Sequence, residues 1–332
     1  MAEETCCGCV SYEDSEYDMG LHIGAIFIIF GVSAAGTMVP IIAQKIPQCK
    51  TNSVIMEAIS AFAYGVVIAT GLIHMMNEGI EKLGNECLGS VVENYESIGL
   101  AVVLVTLILM HFIECESSVF FGAQKSMLHG HGHAHGEPIL QETNTTPNNG
   151  YSPFTANLYH ETTRDQTAHG SKIRRKIATL IFETGVIFHS IIIGLDLGIT
   201  TGTDFKTLLA ALCFHQLFEG VAIGTSALSS LGSKRKLFML NFAFAITTPV
   251  GQAVGIAIRT TYSESSTTAL WVQGTLNCVA GGILLYTGLV ELLTYNMTTN
   301  GQFLSRSTSQ RFTLYICLWL GAGLMALIGK WA

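Results

Sequence analysis

The sequence predicts an all-α integral membrane protein with eight transmembrane helices and both termini on the extracellular or lumenal side. Only 12% of its 332 residues are charged and 49% are hydrophobic, whereas soluble domains carry about 25% charged residues. The charges cluster between long apolar stretches, and eight of these stretches are close to the ~20 residues that cross a bilayer as a helix. The net charge of −7 gives no reason to expect a nucleic-acid partner.

The eight apolar stretches are separated by short connections, except after the third. Recurring Gly, Ser, Thr and Ala residues within them allow close approach of membrane helices. We place the helices near 20–43, 54–76, 98–117, 177–199, 207–229, 237–259, 270–293 and 312–329. The chain is therefore organised as a tail (1–19), helices 1–3 (20–117), a loop (118–176) and helices 4–8 (177–332).

The N-terminal tail is acidic and polar, without the basic start and apolar run of a signal peptide. The first membrane helix is therefore expected to direct insertion. The tail also carries Cys6, Cys7 and Cys9. A short cysteine cluster is compatible with disulfides and with metal binding, and the spacing does not decide between them.

Basic residues predict the orientation, because cytoplasmic connections of membrane proteins are enriched in Lys and Arg. With the N-terminus outside, most Lys and Arg fall in the nominal cytoplasmic connections. The sequons at Asn144 and Asn296 are then cytoplasmic and expected to be unglycosylated. Acidic residues gather on the opposite side, where they would either concentrate cations at an entrance or only solvate the loops.

The connection 118–176 is rich in Gly, Asn and Thr and is expected to be a flexible cytoplasmic loop. It contains HGHGHAHG, in which His129, His131, His133 and His135 alternate with small residues. Four imidazoles on a flexible tether can converge on zinc or a similar ion. Metal sensing or buffering in the cytosol and a polar linker without function are both open interpretations.

Helices four and five carry ionisable residues, each of which costs about 2.5–3.5 kcal/mol at the centre of a membrane helix. In LCFHQLFEGVAIG, His215 and Glu219 are four residues apart and share a helix face. In IFETGVIFHSIIIGLDLG, His189 and Asp196 are seven apart and also share a face, with Ser190 adjacent. One histidine and a carboxylate from each helix form a nitrogen and oxygen set suited to zinc or ferrous iron.

Other intramembrane polar residues have less specific surroundings. His74, near the outer end of helix two, is a further candidate ligand or entrance group, and Glu291 in helix seven is a candidate exit ligand. Lone histidines such as His22 and His111 are more simply interpreted as hydrogen-bonded core residues.

Two kinds of helix-shaping residue lie beside these groups. Gly194/Gly198 and Gly220/Gly224 form G-x-x-x-G pairs that permit tight packing of helices four and five. Pro249, in TTPVG of helix six, frees the carbonyl four residues earlier and predicts a break in that helix.

The motifs HSIIIGLDLG, HQLFEGVAIG, ATGLIHMM and TTPVG together resemble the signatures of the ZIP family (Zrt- and Irt-like proteins) of zinc and iron transporters. The resemblance runs from about residue 20 to the end. It implies influx of Zn²⁺ or Fe²⁺ into the cytosol, with Mn²⁺ and Cd²⁺ as further candidate substrates and no cofactor. By the same resemblance the primary ligands are His189, His215 and Glu219, with His74 contributing. Ser190 and Gln216 would then line the same level.

The chain also departs from the family pattern. Relatives with two bridged metal ions have additional ligands where this chain has Ile193, Gln216 and Thr248, so we expect one transported ion. Asp196 stands where many relatives of this branch have a small polar residue. It is expected to be an outer way-station for the ion, and pairing with a polar group on another helix is the alternative. The resemblance further implies a transport bundle that moves against a scaffold, and a homodimer.

A passive or gradient-coupled importer, not an enzyme, is the function that these observations favour. The sequence has no G-x-x-x-x-G-K-[ST] phosphate loop for ATP use. A membrane-embedded zinc-dependent lipid hydrolase is the alternative, and it would need three protein ligands and a bound water in a closed site. Polar groups toward both faces, Asp196 outward and Glu291 inward, favour passage. The plasma membrane is expected rather than an internal membrane.

Overall fold

The structure, a computed structural model, describes residues 7–8, 17–47, 53–89, 92, 94–129, 177 and 179–330. Every regular element within these residues is helical, and eight helices are long and apolar enough to cross a membrane. They are α1 (Met19–Ala43), α2 (Val54–Leu83), α3 (Ile98–His129), α4 (Thr179–Ile199), α5 (Gly202–Ser230), α6 (Lys234–Ile258), α7 (Thr267–Thr298) and α8 (Thr308–Ile328). The predicted all-α fold with eight transmembrane helices is confirmed.

Two helices extend beyond their predicted ends. α2 continues to Leu83, where Gly84 follows, and α3 continues to His129 instead of ending at residue 117. The apolar run marks where the chain leaves the membrane, and the polar residues that follow in both helices include good helix formers without proline. The first part of the predicted loop 118–176 is therefore helical.

The predicted break at Pro249 is wrong, because α6 is a continuous α-helix from Lys234 to Ile258. A proline removes one backbone hydrogen bond, and nearby hydroxyl side chains can satisfy the freed backbone in membrane helices. The carbonyl that loses its helical N–H partner to Pro249 is that of Ala245, and the Thr247 hydroxyl donates to the neighbouring Phe244 carbonyl at 2.8 Å. The interruptions occur elsewhere, as π-helical segments at Thr70–Met76 in α2 and Thr287–Thr298 in α7.

Glycines set the closest helix contacts. A Cβ added at Gly194 would lie 2.3 Å from the Thr248 carbonyl oxygen of α6, and one at Gly220 would lie 3.0 Å from Gly36 Cα of α1. Each predicted G-x-x-x-G pair therefore permits tight packing, but against a different helix: α4 against α6, and α5 against α1.

Contacts of this kind divide the helices into two groups. α1, α4, α5 and α6 pack on one another, with α1 on both α5 and α6. In the second group α2 packs on α7 and α8, and α3 packs on α7 where Thr106 meets Gly282. The groups meet where α2 contacts α5 and where Gly185 of α4 contacts Leu284 of α7. We call them the α1/α4/α5/α6 group and the α2/α3/α7/α8 group.

The chain forms two compact units, Met1–Met110 with Ala178–Ala332, and His111–Ile177. All the membrane-embedded candidate ligands belong to the first unit. One end of its helices carries Lys82 and Asp196 and is called the Lys82 end; the opposite end carries Glu57. At the Lys82 end, Cys7 of the N-terminal tail forms a disulfide with Cys87. Cys6 and Cys9 lie outside the described residues.

Candidate metal-transport site

The three primary candidate ligands lie together in the interior. His189 comes from the middle of α4, and His215 and Glu219 come from successive turns of α5. Their exposed fractions are 1%, 0% and 3%. Apolar residues surround the polar face of each helix, so the fold buries these groups by packing the helices of the α1/α4/α5/α6 group together.

The geometry of the three residues suits one ion. His189 Nε2 lies 3.3 Å from His215 Nε2, and His215 Nε2 lies 3.2 Å from Glu219 Oε1. One potential ligand atom from each residue lies within 4.8 Å of the others. A zinc ion bound at about 2.0–2.2 Å from nitrogen and oxygen ligands separates them by similar distances. Two imidazoles and one carboxylate are ligands that zinc and ferrous iron accept.

The histidines are not held by ordinary core hydrogen bonds. Within the described residues, neither His189 Nδ1 nor His215 Nδ1 has a hydrogen-bond partner. By contrast, His22 in α1 places its ring nitrogens 2.8 Å from the Asp18 carbonyl and 3.0 Å from the Thr200 carbonyl. A buried polar atom without a partner costs about 1–3 kcal/mol, so these imidazoles are candidates for binding a ligand that the protein itself does not supply.

His74 lies next to this cluster but outside it. Its ring centroid is 5.0 Å from that of His215, while its Nε2 lies 3.3 Å from the Met325 carbonyl of α8. Gly329 makes room for the ring, since a Cβ there would lie 2.9 Å from His74 Cε1. His74 belongs to the π-helical segment of α2, and such segments are frequent at functional sites. His74 is therefore adjacent to the three-residue cluster and is held by α8 in this structure.

Ser190 and Gln216 follow the two histidines and are fully buried. The Ser190 hydroxyl and Gln216 Oε1 have no partner among the described residues, whereas Gln216 Nε2 donates to the Thr248 hydroxyl of α6. Gln216 and Thr248 thus form a neutral hydrogen-bonded pair beside the histidines. This chemistry fits the expectation of a single transported ion.

Asp196 is part of a polar network at the Lys82 end. Its Oδ1 accepts from Gln273 Nε2 at 3.2 Å, and its Oδ2 lies 4.0 Å from Lys82 Nζ. Gln273 Nε2 also donates to the Tyr262 hydroxyl at 2.7 Å. Burial, and then the neighbouring Asp196 carboxylate, raise the pKa of Tyr262, so its phenol stays neutral. Asp196 therefore pairs with polar groups of other helices in this conformation.

Two further buried acidic residues lie toward the end of the helices that carries Glu57. Glu291 lies in the π-helical segment of α7 and is 7% exposed, but it does not join the cluster of His189, His215 and Glu219. Glu183, six residues before His189 on α4, is also 7% exposed, and its Oε1 has no partner among the described residues. A cavity of about 290 Å³ opens at this end and is lined by, among others, Glu57, Ser226 and Asn296.

Sequence analysis did not single out four further polar residues of these helices as candidate functional residues: Lys82, Gln273, Glu183 and Asn277. Asn277 is 0% exposed, and neither of its side-chain polar atoms has a partner among the described residues. An intramembrane ionisable or amide group without an assigned role is the signal that could have found each of them.

The loop histidines are not tested by the structure. Residues 131, 133 and 135 lie outside the described residues, and only the backbone of His129, the last residue of α3, is described.

Comparison with known proteins matches residues 19–329 to the family described as "ZIP Zinc transporter". The chain is 35% identical over 343 residues to Zinc-regulated transporter 1 of Saccharomyces cerevisiae, covering 97% of this chain and 91% of that protein. It is 33% identical over 317 residues to Fe(2+) transport protein 1 of Arabidopsis thaliana, covering 94% and 86%. Zinc transporter 3 of Oryza sativa subsp. japonica is 30% identical over 339 residues, covering 98% and 93%. The match over nearly the whole chain shows that this protein belongs to the ZIP family of zinc transporters.

Proposed function

We propose that this protein carries zinc, ferrous iron or both into the cytosol, and that His189, His215 and Glu219 bind the ion on its way. The observation that carries this proposal is that two imidazole nitrogens and one carboxylate oxygen, from His189, His215 and Glu219, converge on a single buried point. A neutral imidazole offers such a nitrogen as a metal ligand. A transport site must bind the ion in place of its water and then release it. Three fixed ligands with His74 nearby allow both binding and release, because His74 can act as a fourth ligand that binds the ion and then dissociates from it.

The coarser prediction, a multi-pass membrane transporter of divalent metal ions rather than an enzyme, is confirmed by the family membership. The alternative of a lipid hydrolase has no support among these relatives.

Both metals are proposed because the relatives' names divide between them. Similar proteins are named for zinc regulation and zinc transport, and one is named for Fe(2+) transport. The ligand set does not separate the two ions, because imidazole and carboxylate suit both. Mn²⁺ and Cd²⁺ remain candidate substrates on the same chemical ground.

For influx, we propose an orientation in which the Lys82 end faces the outside and is where the ion enters. The disulfide between Cys7 and Cys87 supports this orientation, because disulfides persist in oxidising compartments. The basic residues of the connections support it independently. An epitope tag at the N-terminus should then be accessible on intact cells, and a tag within 118–176 only after permeabilisation.

The path proposed for the ion runs from the Lys82 end past Asp196 to His189, His215 and Glu219. It continues past Glu291 into the cavity near Glu57. Ser190 and Gln216 line the path at the level of the histidines, and His74 stands at the outer side of the cluster.

Residence in the plasma membrane and assembly as a homodimer are also proposed. Surface biotinylation of intact cells tests the first, and the mass of the purified protein in detergent tests the second. An intracellular pool alone, or a monomeric mass, would contradict them.

The decisive experiment measures uptake of radioactive zinc and of ferrous iron into cells that express the protein, each competed by the other metal. The double variant His215→Ala/Glu219→Ala removes two ligands and should abolish uptake at equal surface abundance. His111→Ala, which removes an exposed histidine of α3, is the matched control and should leave uptake unchanged. Absence of uptake by wild-type protein shown to be at the cell surface would overturn the importer proposal.

A further inference from the structure

The Lys82 ammonium lies where oxygen atoms from three helices converge. Its Nζ lies 3.0 Å from Glu78 Oε1 of α2 and 4.0 Å from Asp196 Oδ2 of α4, and it donates to Gln273 Oε1 of α7. Two carboxylates and an amide oxygen are the hard donors that bind cations in proteins. The Lys82 ammonium therefore occupies a position among these oxygen atoms in which a free cation could bind.

This cluster lies directly above the histidines along the helices. Lys82 and Glu78 are eight and four residues from His74 on the same face of α2, and Asp196 is seven residues from His189 on the same face of α4. At a rise of 1.5 Å per residue, the cluster lies roughly 10–12 Å outward of the histidines. The cluster thus lies on the path that we propose for an ion approaching the histidines from the Lys82 end.

The same contacts join the two helix groups. Lys82, Glu78 and Gln273 belong to the α2/α3/α7/α8 group, whereas Asp196 belongs to the α1/α4/α5/α6 group. The Lys82 side chain is 19% exposed and that of Asp196 is 21% exposed, so water reaches both. A lysine has a flexible four-carbon stem and a strongly hydrated head, so Lys82 can leave the cluster for solvent without a rearrangement of the backbone.

We infer that Lys82 is a tethered competitor that closes the outer entrance and is displaced when a divalent metal ion binds Asp196, Glu78 and Gln273. With Lys82 in place, the cluster has two carboxyl groups and an amide oxygen around a single ammonium. A divalent ion gains more from the two carboxylates than an ammonium does, because its charge is twice as large. Lys82 thereby sets the apparent affinity for the cargo and rejects ions that bind oxygen donors weakly. The inference rests on the proposed function, since the displacing ion is the cargo.

Equilibrium binding tests the site itself. Protein carrying His215→Ala/Glu219→Ala, which lacks the inner site, is purified, stripped with chelator and titrated with Zn²⁺ or Cd²⁺ alone. Adding Lys82→Met should lower at least threefold the metal concentration at which one further ion per chain binds, and adding Asp196→Asn as well should abolish that binding. Lys82→Arg should behave as Lys82. Ions bound by the tail cysteines or loop histidines are common to all variants and cancel in the comparison.

Transport tests the consequence. With the inner ligands intact, Lys82→Met should lower the KM for zinc uptake at least threefold without raising the maximal rate. Lys206→Met removes an exposed lysine of α5 at the same end and should leave the KM unchanged. Equal ion affinities of the Lys82 and Lys82→Met proteins in the binding series, or an unchanged KM in well-expressed Lys82→Met, would overturn the inference. Failure of wild-type uptake would overturn the proposed function instead, and the binding series would still report on the outer cluster.

Discussion

The polar residues of α4, α5 and α7 differ in their surroundings, and we propose that this difference separates ion-binding residues from exit residues. Glu219 has its carboxylate at the point where His189 and His215 meet. Glu291 is buried to a similar degree but lies outside that cluster. The two carboxylates should therefore affect different steps of transport.

Glu219→Gln keeps the shape of the side chain but replaces a charged ligand by a neutral one. We expect zinc binding to the purified protein and zinc uptake both to fall by at least about tenfold, since even outer-shell partners of metal ligands contribute 10–100-fold. Glu291→Gln should leave zinc binding within about twofold of wild type and lower the maximal uptake rate. Equal loss of binding in both variants would contradict the assignment of Glu291 to the exit path.

Sequence reasoning was most successful at this scale where two ligands share a helix face. The spacing of His215 and Glu219 predicted a common face. His189 and His74 were candidates on the residues alone, and the resemblance then implied that they are ligands. Distances between helices could not be read from spacing. The sequence therefore left open whether Asp196 pairs with another helix, and it gave no indication that Lys82 lies within 4.0 Å of it.

The helices themselves depend on glycine at a few positions where backbones touch. A Cβ at Gly321 of α8 would lie 2.1 Å from the Phe62 carbonyl oxygen of α2, whereas one at Gly323, two residues later, would meet nothing within 4 Å. The pair offers a matched test of helix contact within one helix.

Gly321→Ala should separate α2 from α8 and destabilise the protein by about 1–3 kcal/mol, the usual range for overpacking. Gly323→Ala should be neutral or stabilising by up to about 1 kcal/mol, because alanine is the better helix former. Thermal unfolding of both purified variants in the same detergent measures the difference. A Gly321→Ala variant as stable as Gly323→Ala would show that the two helices do not meet there.

The apolar runs predicted the existence of all eight helices, since burial of backbone hydrogen bonds in lipid leaves few alternatives. Their ends were predicted less well. α2 and α3 continue into polar sequence because helix propensity does not stop at the membrane boundary. Pro249 was overestimated as a break, and the two π-helical segments, which carry His74 and Glu291, have no sequence signature that periodicity can detect.

At the scale of the whole molecule, the two helix groups meet along the proposed path. The α1/α4/α5/α6 group supplies His189, His215 and Glu219, and the α2/α3/α7/α8 group supplies His74 and Lys82. A small shift of one group relative to the other would alter the distance from His74 to His215 and the distance from Lys82 to Asp196 at the same time. The cavity near Glu57 and the ion pair between Lys82 and Asp196 lie at opposite ends of the helices. Under the orientation that we propose, this is a conformation closed outside and open inside.

The central claim is that the cargo binds between α4 and α5, and anomalous diffraction at the zinc absorption edge tests it most directly. Crystals of the protein grown with zinc should show one strong peak about 2.0–2.2 Å from a nitrogen of His189, a nitrogen of His215 and an oxygen of Glu219. The peak should vanish in His215→Ala/Glu219→Ala. Zinc peaks elsewhere on the chain, with no density between these three side chains in the wild-type protein, would contradict the account.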